Sequence, residues 1–265
     1  MNDTIEELLP RMQAVILAGG RGTRLEEETE VRPKPMLEIG ERPILWHIMK
    51  IYERAGVSRF VVCLGYRGEM IKRFFLDYDV LGSDVLVDLG ARAVKPLTSN
   101  HDERWEVVLA DTGIDTQTGG RIKRVEPYVD GDVFFATYGD GVANLDLREL
   151  LRFHLDGGWA ATLTGVQPAG RFGHLTIEGD RVRSFVEKPA RTDGWVNGGF
   201  YVFNREVFDL LDRDCVLERE PLERLANDGR LGIYRHDRYW ACMDTARDYE
   251  ELNAEWATGR AGWTR

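Results

Sequence analysis

The chain has 265 residues, of which 43% are hydrophobic and 30% are charged, and its formal net charge is −10 at pH 7. This composition is typical of a globular protein, and the negative charge argues against nucleic acid or an anionic membrane surface as the main partner. No stretch approaches the roughly 20 apolar residues of a membrane-spanning helix, and the acidic first eleven residues lack the apolar segment of a secretory signal. We therefore expect a cytoplasmic protein, and its three cysteines predict neither a disulfide framework nor a metal site.

Apolar runs bounded by turn residues alternate with amphipathic stretches through the first half of the chain. The runs predict buried strands at residues 14–17, 59–64, 84–89, 105–110 and 133–137. Helical spacing predicts one helix that begins at Pro43 and others at residues 69–76, 118–126 and 145–155. The alternation predicts right-handed βαβ units and a parallel, doubly wound α/β sheet. Residues 18–43 form a long Gly/Pro-rich loop of the kind that is usually functional, and residues 90–104 match no pattern.

The pattern changes in the second half, where strands follow one another over short turns. Strands are predicted at residues 160–166, 173–177, 182–187, 196–203, 231–236 and 239–242. Short helices are predicted at residues 205–211 and 221–226, and a closing helix at residues 245–256. This pattern favours an antiparallel or mixed patch, like a lid or subdomain, on one α/β domain.

Three glycines follow the first predicted strand directly, at Gly19, Gly20 and Gly22, with Arg21 and Arg24 among them. Glycines let backbone N–H groups approach a ligand, successive N–H groups bind anions, and arginine forks suit phosphate oxygens. The loop therefore indicates a phosphate site at the carboxyl end of a strand. It matches neither the P-loop nor the dinucleotide fingerprint, which needs a glycine three residues after Gly22. A glycine-rich turn without a ligand is the alternative.

Two aspartates are candidates for a metal site. Asp140 lies between two glycines after a predicted buried strand, where open α/β sheets bind ligands, and Asp244 follows another strand. A pair of carboxylates suits a Mg²⁺ ion that keeps waters and bridges to substrate phosphates. The competing explanations are a turn residue at Asp140 and an N-cap of the last helix at Asp244.

Two further positions carry side chains suited to a sugar phosphate. Lys188 follows a predicted strand, where a lysine is usually a solvated charge. Asn197 begins the next strand beside Gly198, where its amide can bind sugar hydroxyls, although Asn-Gly is also an ordinary turn. The five histidines have no partner pattern, and we find no Ser/His/Asp or Cys/His nucleophile arrangement in the sequence.

The glycine loop and the lysine beyond it resemble the signature of the sugar-phosphate nucleotidyltransferases, in residues 17–25 (LAGGRGTRL) and 32–36 (RPKPM). Within that family, further segments are similar to those of glucose-1-phosphate cytidylyltransferases. They are residues 43–50 (PILWHIMK), 111–113 (DTG), 118–125 (TGGRIKRV), 138–142 (YGDGV), 170–173 (GRFG), 186–189 (VEKP), 196–200 (VNGGF) and 243–245 (MDT). The likeness extends from residue 13 to residue 263, and its TGGR and YGDGV segments point to the cytidylyl branch.

The resemblance implies a Rossmann-like, mostly parallel mixed sheet flanked by helices, of the nucleotide-diphospho-sugar transferase type, with a small β-rich sugar-binding region. It divides the chain into an N-terminal extension (residues 1–12) and one domain (residues 13–265). That domain has a nucleotide-binding half (residues 13–145) and a sugar-phosphate-binding half (residues 146–265). It further implies homo-oligomers, Mg²⁺ as the cofactor, and transfer of the cytidylyl group from CTP to α-D-glucose 1-phosphate, which gives CDP-glucose and pyrophosphate.

The resemblance also implies roles for single residues. The catalytic residues would be Lys34, Arg24, Asp140 and Asp244, and the two aspartates would hold Mg²⁺. The nucleotide would be bound by Leu17, Ala18, Gly19, Gly20, Gly22, Thr23, Arg24, Lys34, Gly119, Gly139 and Asp140. The sugar phosphate would be bound by Arg121, Tyr138, Glu187, Lys188, Asn197 and Gly198.

Three features depart from the family's pattern. Residues 1–11 precede the usual start, so we expect an appended, peripheral segment; Arg21 stands where leucine is common; and residues 90–104 match nothing in the family. Because that last stretch bears on substrate choice or oligomer contacts, the acceptor is less well determined than the reaction. The alternatives are the same reaction with another phosphorylated acceptor or with UTP or dTTP, and a non-catalytic regulatory subunit. The presence of all the charged residues argues against the regulatory subunit.

Overall fold

A computed structural model describes residues 4–22, 25, 29, 31–98, 101–168, 174–178, 181–186 and 194–264. For residues 174–178 and 181–186 it describes the backbone strands only. Among the described residues, no helix is both long enough and apolar enough to cross a membrane.

The described helices and strands alternate along most of the chain. The α-helices are α1 (Ile5–Leu8), α2 (Ile44–Ala55), α3 (Gly68–Leu76), α4 (Tyr78–Leu81), α5 (Thr118–Arg124), α6 (Leu147–Gly157), α7 (Glu220–Asn227) and α8 (Ala246–Ala257). The strands are β1 (Gln13–Leu17), β2 (Glu38–Ile39), β3 (Arg42–Pro43), β4 (Arg59–Leu64), β5 (Val85–Asp88), β6 (Ala93–Pro96), β7 (Glu106–Asp111), β8 (Val133–Tyr138), β9 (Gly141–Ala143), β10 (Ala161–Val166), β11 (His174–Glu178), β12 (Arg181–Val186), β13 (Val196–Asn204), β14 (Leu231–His236) and β15 (Trp240–Cys242). Short 3₁₀-helices lie at Leu9–Arg11, Lys34–Met36, Glu126–Tyr128, Arg205–Leu210 and Gly262–Thr264.

The central sheet has the strand order β14-β10-β13-β8-β1-β4-β7. Strands β8, β1, β4 and β7 are parallel neighbours, β10 and β14 are parallel, and β13 runs antiparallel between β8 and β10. The pairs β2–β3, β5–β6, β9–β15 and β11–β12 are antiparallel and separate from this sheet. The expected α/β fold with a mostly parallel mixed sheet is therefore confirmed.

Both faces of the central sheet are buried, because successive strand residues alternate between two apolar layers. In β1, Ala14 and Ile16 belong to one layer, whereas Val15 and Leu17 belong to the other. Helices α2 and α6 contribute to the first layer, and helices α5 and α7 to the second. Strands β1 and β8 are thus held from both sides, and the loops that leave their carboxyl ends start from a rigid base.

Most predicted elements end within one or two residues of the observed ones, and the predicted strands at residues 59–64 and 231–236 agree at both ends. The helix expected at residues 205–211 is wrong in kind, since Arg205–Leu210 is a 3₁₀-helix. The patterns missed α1, α4, β2, β3, β6 and β9. Each of these has two to four residues, which is too short to show a period.

The N-terminal segment is not peripheral, contrary to the sequence-based expectation. Leu9 is 1% exposed and belongs to the same apolar layer as Ile16 of β1. Ile5 and Leu8 pack against that layer, and Met12 is buried within it. The segment therefore completes the core beside β1, and the boundary at residue 12 stays a prediction.

Candidate active site

A cleft of about 380 Å³ opens where the chain leaves β1 and β8. These strands are parallel neighbours with Leu17 opposite Tyr138, so the loops that follow them start side by side. Ligands of open α/β sheets bind at this edge. The cleft is lined by Leu17, Ala18, Gly19, Gly20, Gly22, Lys34, Pro35, Thr116, Gln117, Thr118, Arg121, Tyr138, Gly139, Asp140 and Asp244.

One lysine joins two carboxylates in this cleft. The Nζ atom of Lys34 lies 2.6 Å from Oδ2 of Asp140 and 2.7 Å from Oδ1 of Asp244. The Lys34 side chain is 12% exposed, compared with 25% and 27% for the two aspartates. Burial lowers the pKa of Lys34, but the two carboxylates outweigh burial, and the net effect is a raised pKa. Lys34 therefore keeps its positive charge inside the cleft.

The pairing of β9 with β15 brings the two aspartates together. Gly141 lies opposite Cys242 in this ladder, and the Met243 N–H donates to the Asp140 carbonyl at 2.9 Å. One oxygen of Asp140, one of Asp244 and the Sγ atom of Cys242 all lie within 4.8 Å of one another. Two converging carboxylates of this kind suit a divalent cation with oxygen ligands.

The N-cap explanation for Asp244 is wrong, because the N-cap of α8 is Thr245. Oγ1 of Thr245 accepts from the Asp248 N–H at 3.2 Å, and Oδ2 of Asp248 accepts from the N–H groups of Asp244 and Thr245 at 3.0 and 2.8 Å. This capping box fixes the backbone of Asp244. Its carboxylate is thereby placed beside Lys34.

Arg121 holds the glycine loop from its buried side. Its guanidinium donates to the carbonyl oxygens of Gly19, Leu64 and Gly113 at 3.0, 3.0 and 2.7 Å, and to Oγ1 of Thr112 at 2.8 Å. Arg121 is 5% exposed, and a Cβ atom on Gly19 would lie 2.1 Å from its Nη1. Because these bonds use so many of its donors, Arg121 acts first as a positioning group, and its contact with substrate stays a prediction.

Two other loop glycines also have a structural reason, which is a close contact for one and a positive φ for the other. The Gly139 N–H donates to the Leu17 carbonyl at 3.0 Å, and a Cβ atom on Gly139 would lie 2.9 Å from that oxygen. Gly22 has φ +64°, which favours glycine. Arg21, by contrast, forms an exposed ion pair with Asp115 at 2.9 Å.

Several predicted contacts do not line the cleft or lie outside the described residues. Those outside are Thr23, Arg24, Glu187 and Lys188. Gly119 packs against the 215–217 segment, where a Cβ atom would lie 2.5 Å from Sγ of Cys215. The Gly198 carbonyl accepts from Nε1 of Trp240 at 2.8 Å, and the exposed Asn197 does not line the cleft but donates to the Tyr201 hydroxyl. The binding roles of Gly119, Asn197 and Gly198 stay predictions.

One wall of the cleft carries a hydrogen-bonded network that sequence reasoning missed. The Tyr138 hydroxyl donates to Oε1 of Glu218, and the Thr118 hydroxyl donates to Oε2 at 2.7 Å. The Tyr201 hydroxyl lies 2.8 Å from that of Tyr138 and accepts from the Asn197 amide. Burial, followed by the nearby Tyr201 and Glu218, raises the pKa of Tyr138, which therefore stays a neutral donor.

The missed residues differ in the signal that they offered. Thr118 is the first residue of the TGGR segment of the resemblance, so that segment could have identified it. Thr116 and Gln117 directly precede the segment. Glu218 offered none, because it lies outside any periodic stretch and reaches the cleft only through its bonds to Tyr138 and Thr118.

A family model and two curated relatives match nearly the whole chain. Residues 13–257 match the nucleotidyl transferase family model. The glucose-1-phosphate cytidylyltransferase of Salmonella typhi is 49% identical over 254 residues, which cover 95% of this chain and 98% of that enzyme. A Bacillus subtilis (strain 168) protein named "Probable glucose-1-phosphate cytidylyltransferase" is 44% identical over 254 residues, which cover 95% of this chain and 99% of that protein.

A solved structure has a fold similar to that of this chain. HddC from Yersinia pseudotuberculosis complexed with GMP-PN superposes with a TM-score of 0.62 at 25% identity, covering 92% of this chain and 99% of that chain. Since the family model matches residues 13–257 and the two sequence relatives cover 95% of the chain, this chain belongs to the nucleotidyl transferase family and is an enzyme of that class.

Proposed function

We propose that this enzyme transfers the cytidylyl group of CTP to α-D-glucose 1-phosphate, which gives CDP-glucose and pyrophosphate in the cytoplasm. The observation that carries the reaction class is a partly buried lysine between two carboxylates in a glycine-lined cleft. The choice of substrates is supported by relatives at 49% and 44% identity that are named for this reaction.

The reaction needs positioning and charge stabilisation more than covalent help. A phosphate oxygen of the sugar phosphate attacks the α-phosphorus in line, and the bond from that phosphorus to the bridging oxygen of pyrophosphate breaks. The backbone at Gly19, Gly20 and Gly22 cradles the phosphates through its N–H groups. Lys34 offsets the negative charge that develops on the phosphates as pyrophosphate leaves.

The remaining contacts are divided between the two substrates. We assign Thr23 and Arg24 to the triphosphate, and Lys188 to the phosphate of the sugar. Tyr138 lines the cleft and stays protonated, so it can donate to a substrate oxygen when it exchanges its partner. Glu187 and Asn197 are assigned to the sugar hydroxyls, which need donors and acceptors of this kind.

The aspartate pair fits a divalent cation. Both carboxylates contact one cationic group, the Lys34 ammonium, and one oxygen of each lies within 4.8 Å of one oxygen of the other. We assign Mg²⁺ to Asp140 and Asp244, because magnesium is usually bound by one or two carboxylates together with substrate phosphates. When bound, Mg²⁺ offsets and orients the phosphate charges.

Asp140→Asn and Asp244→Asn are each expected to raise the Mg²⁺ concentration for half-maximal activity by at least about tenfold, because each change removes a charged ligand. Initial rates across a MgCl₂ titration measure this. The matched control is Asp115→Asn, whose carboxylate pairs with Arg21 at the exposed rim. If both cleft variants titrate like the control, the aspartates do not hold the metal.

Glu218→Gln is expected to lower kcat/KM for the sugar phosphate about three- to tenfold, since a lost hydrogen bond is worth about 1 kcal/mol. A glutamine presents an oxygen at only one of the two positions that accept from Tyr138 and Thr118, so one of these hydroxyls would face an amide NH₂ group, which is a donor. Steady-state kinetics measure the change, with the exposed Glu220→Gln as the control. Combination with Tyr138→Phe should add little further loss; fully additive losses would show that Glu218 does not act through Tyr138.

The assignment of substrates is tested by a matrix of nucleoside triphosphates against sugar phosphates, with pyrophosphate release as the readout. We expect the fastest release with CTP and glucose 1-phosphate. Fastest release with UTP, dTTP or another acceptor would keep the reaction class and change the substrates. No release with any pair would favour a regulatory subunit.

A further inference from the structure

The Lys34 ammonium contacts both of the carboxylates to which we assign the divalent cation. Its Nζ atom lies 2.6 Å from Oδ2 of Asp140 and 2.7 Å from Oδ1 of Asp244. A Mg²⁺ ion binds oxygen ligands at about 2.0–2.1 Å, so it would use the same oxygens from nearly the same place. The lysine and a divalent cation are therefore competing partners of this aspartate pair.

The two cations exclude each other for an electrostatic reason. Cations that share the same two oxygens lie only a few ångströms apart, where like charges repel strongly. The Lys34 side chain is 12% exposed, so solvent ions screen this repulsion less than they would at the surface. The ammonium brings one positive charge to two carboxylates, whereas a divalent cation brings two. The divalent cation therefore neutralises the pair more completely once the ammonium has left.

Of these three side chains, that of Lys34 has the most freedom to move. The Asp140 carbonyl accepts from the Met243 N–H at 2.9 Å, and the Asp244 N–H donates to the capping box at 3.0 Å, so the backbones of both aspartates are held. The backbone of the lysine is also held, in the 3₁₀-helix Lys34–Met36. Its flexible four-carbon side chain can still swing between partners.

The glycine loop offers the ammonium a second position. Lys34 packs directly beside this loop, since a Cβ atom on Gly22 would lie 3.2 Å from Cβ of Lys34, and both residues line the cleft. Phosphates cradled by the loop therefore lie close to the base of the lysine side chain. Their oxygens are acceptors that can replace the two carboxylates as partners of the ammonium.

We propose that Lys34 is the resident cation of the aspartate pair in the nucleotide-free enzyme, and that it moves to the triphosphate when a divalent cation takes its place. This inference rests on the proposed assignment of that cation to Asp140 and Asp244. The free enzyme accordingly binds divalent cations weakly, and the nucleotide, whose phosphates draw the ammonium away, makes the pair available. Lys34 thus opposes metal binding before the nucleotide arrives and assists the reaction afterwards.

The test is the affinity of the nucleotide-free protein for Mn²⁺, measured from the electron paramagnetic resonance signal of unbound Mn²⁺, an ion that prefers the same oxygen ligands as Mg²⁺. Lys34→Met should lower the dissociation constant by at least about tenfold, as expected for coupled groups in contact. Lys34→Arg keeps the charge and should bind as weakly as wild type. So should Lys72→Met on α3, which removes a charge that does not line the cleft.

A thermal-shift measurement covers the case in which Lys34→Met is less stable than wild type. A cation that binds only the folded state raises the thermal midpoint, and tighter binding raises it further. Mn²⁺ should therefore raise the midpoint of Lys34→Met more than that of wild type or of Lys72→Met. Equal shifts in the three proteins would overturn the proposal.

The location of the bound ion separates this inference from the proposed function. Adding Asp140→Asn to Lys34→Met should abolish the gain in affinity. An unchanged dissociation constant in Lys34→Met, while Asp140→Asn still shifts the Mg²⁺ dependence of activity, would overturn the competition by Lys34 and keep the metal site. A gain that survives both Asp140→Asn and Asp244→Asn would place Mn²⁺ elsewhere and overturn the competition and the metal site together.

Discussion

We expect Lys34→Met to lower kcat by about 100- to 1,000-fold, because a preorganised charge aimed at the transition state usually contributes a rate factor of this size. Lys34 is the cation that touches both Asp140 and Asp244, at 2.6 and 2.7 Å. Methionine keeps an unbranched side chain of similar length and removes only the charge and the donors. The loss should fall on kcat more than on KM, since the developing charge on pyrophosphate exists only in the transition state.

The matched control for this change is Lys72→Met on α3, a lysine of the same chemistry that does not line the cleft. Single-turnover rates at saturating CTP and glucose 1-phosphate separate chemistry from product release. Thermal unfolding shows whether each variant is folded. If Lys34→Met turns over within about twofold of the control and has a normal thermal midpoint, Lys34 is not a catalytic residue.

Arg121→Met should lower the free energy of unfolding by about 3–5 kcal/mol, because it leaves several buried oxygen acceptors without a donor. These include the carbonyl oxygens of Gly19, Leu64 and Gly113. The same change releases the glycine loop, so we also expect a higher KM for CTP. Urea unfolding monitored by tryptophan fluorescence gives the free energy, and steady-state kinetics give KM.

Arg124→Met is the matched control, because Arg124 lies one turn along the same helix, is exposed, and donates to the Thr112 carbonyl at 2.8 Å. Its loss of stability should be about 1 kcal/mol. A further readout is Gly19→Ala, whose Cβ atom would lie 2.1 Å from Nη1 of Arg121. We expect this change to be less damaging in the Arg121→Met background. Equal damage in both backgrounds, or equal stability of the two arginine variants, would contradict the positioning role.

The position of Asp140 at the edge of the sheet could be predicted from a local signal in the sequence, whereas the catalytic roles of Lys34, Asp140 and Asp244 stay predictions. Asp140 comes directly after a buried strand, and the carboxyl ends of parallel strands meet at one edge of a sheet. What sequence patterns do not show is that Lys34 touches both aspartates. That contact depends on β9 and β15, which have three residues each and pair across a long separation in the chain.

Positioning residues are harder to predict than residues of the cleft itself. A basic residue beside two glycines suggests a ligand, yet Arg121 is buried against the carbonyl oxygens of Gly19, Leu64 and Gly113, which lie in three separate segments of the chain. Glu218 belongs to no periodic segment, and only packing brings it to Tyr138. The strand β6 within residues 90–104 was not predicted, because its residues face solvent on both sides. Its sequence therefore shows no alternation of apolar and polar residues.

Transfer of the α-phosphorus to the sugar phosphate is tested most directly with CTP that is radiolabelled at the α-phosphate. Wild-type enzyme with glucose 1-phosphate should move this label into CDP-glucose, whereas CTP labelled at the γ-phosphate should release its label as pyrophosphate. Lys34→Met should slow both events together. Recovery of the α-label as free CMP, or its failure to enter a sugar nucleotide with any acceptor, would contradict nucleotidyl transfer in this cleft.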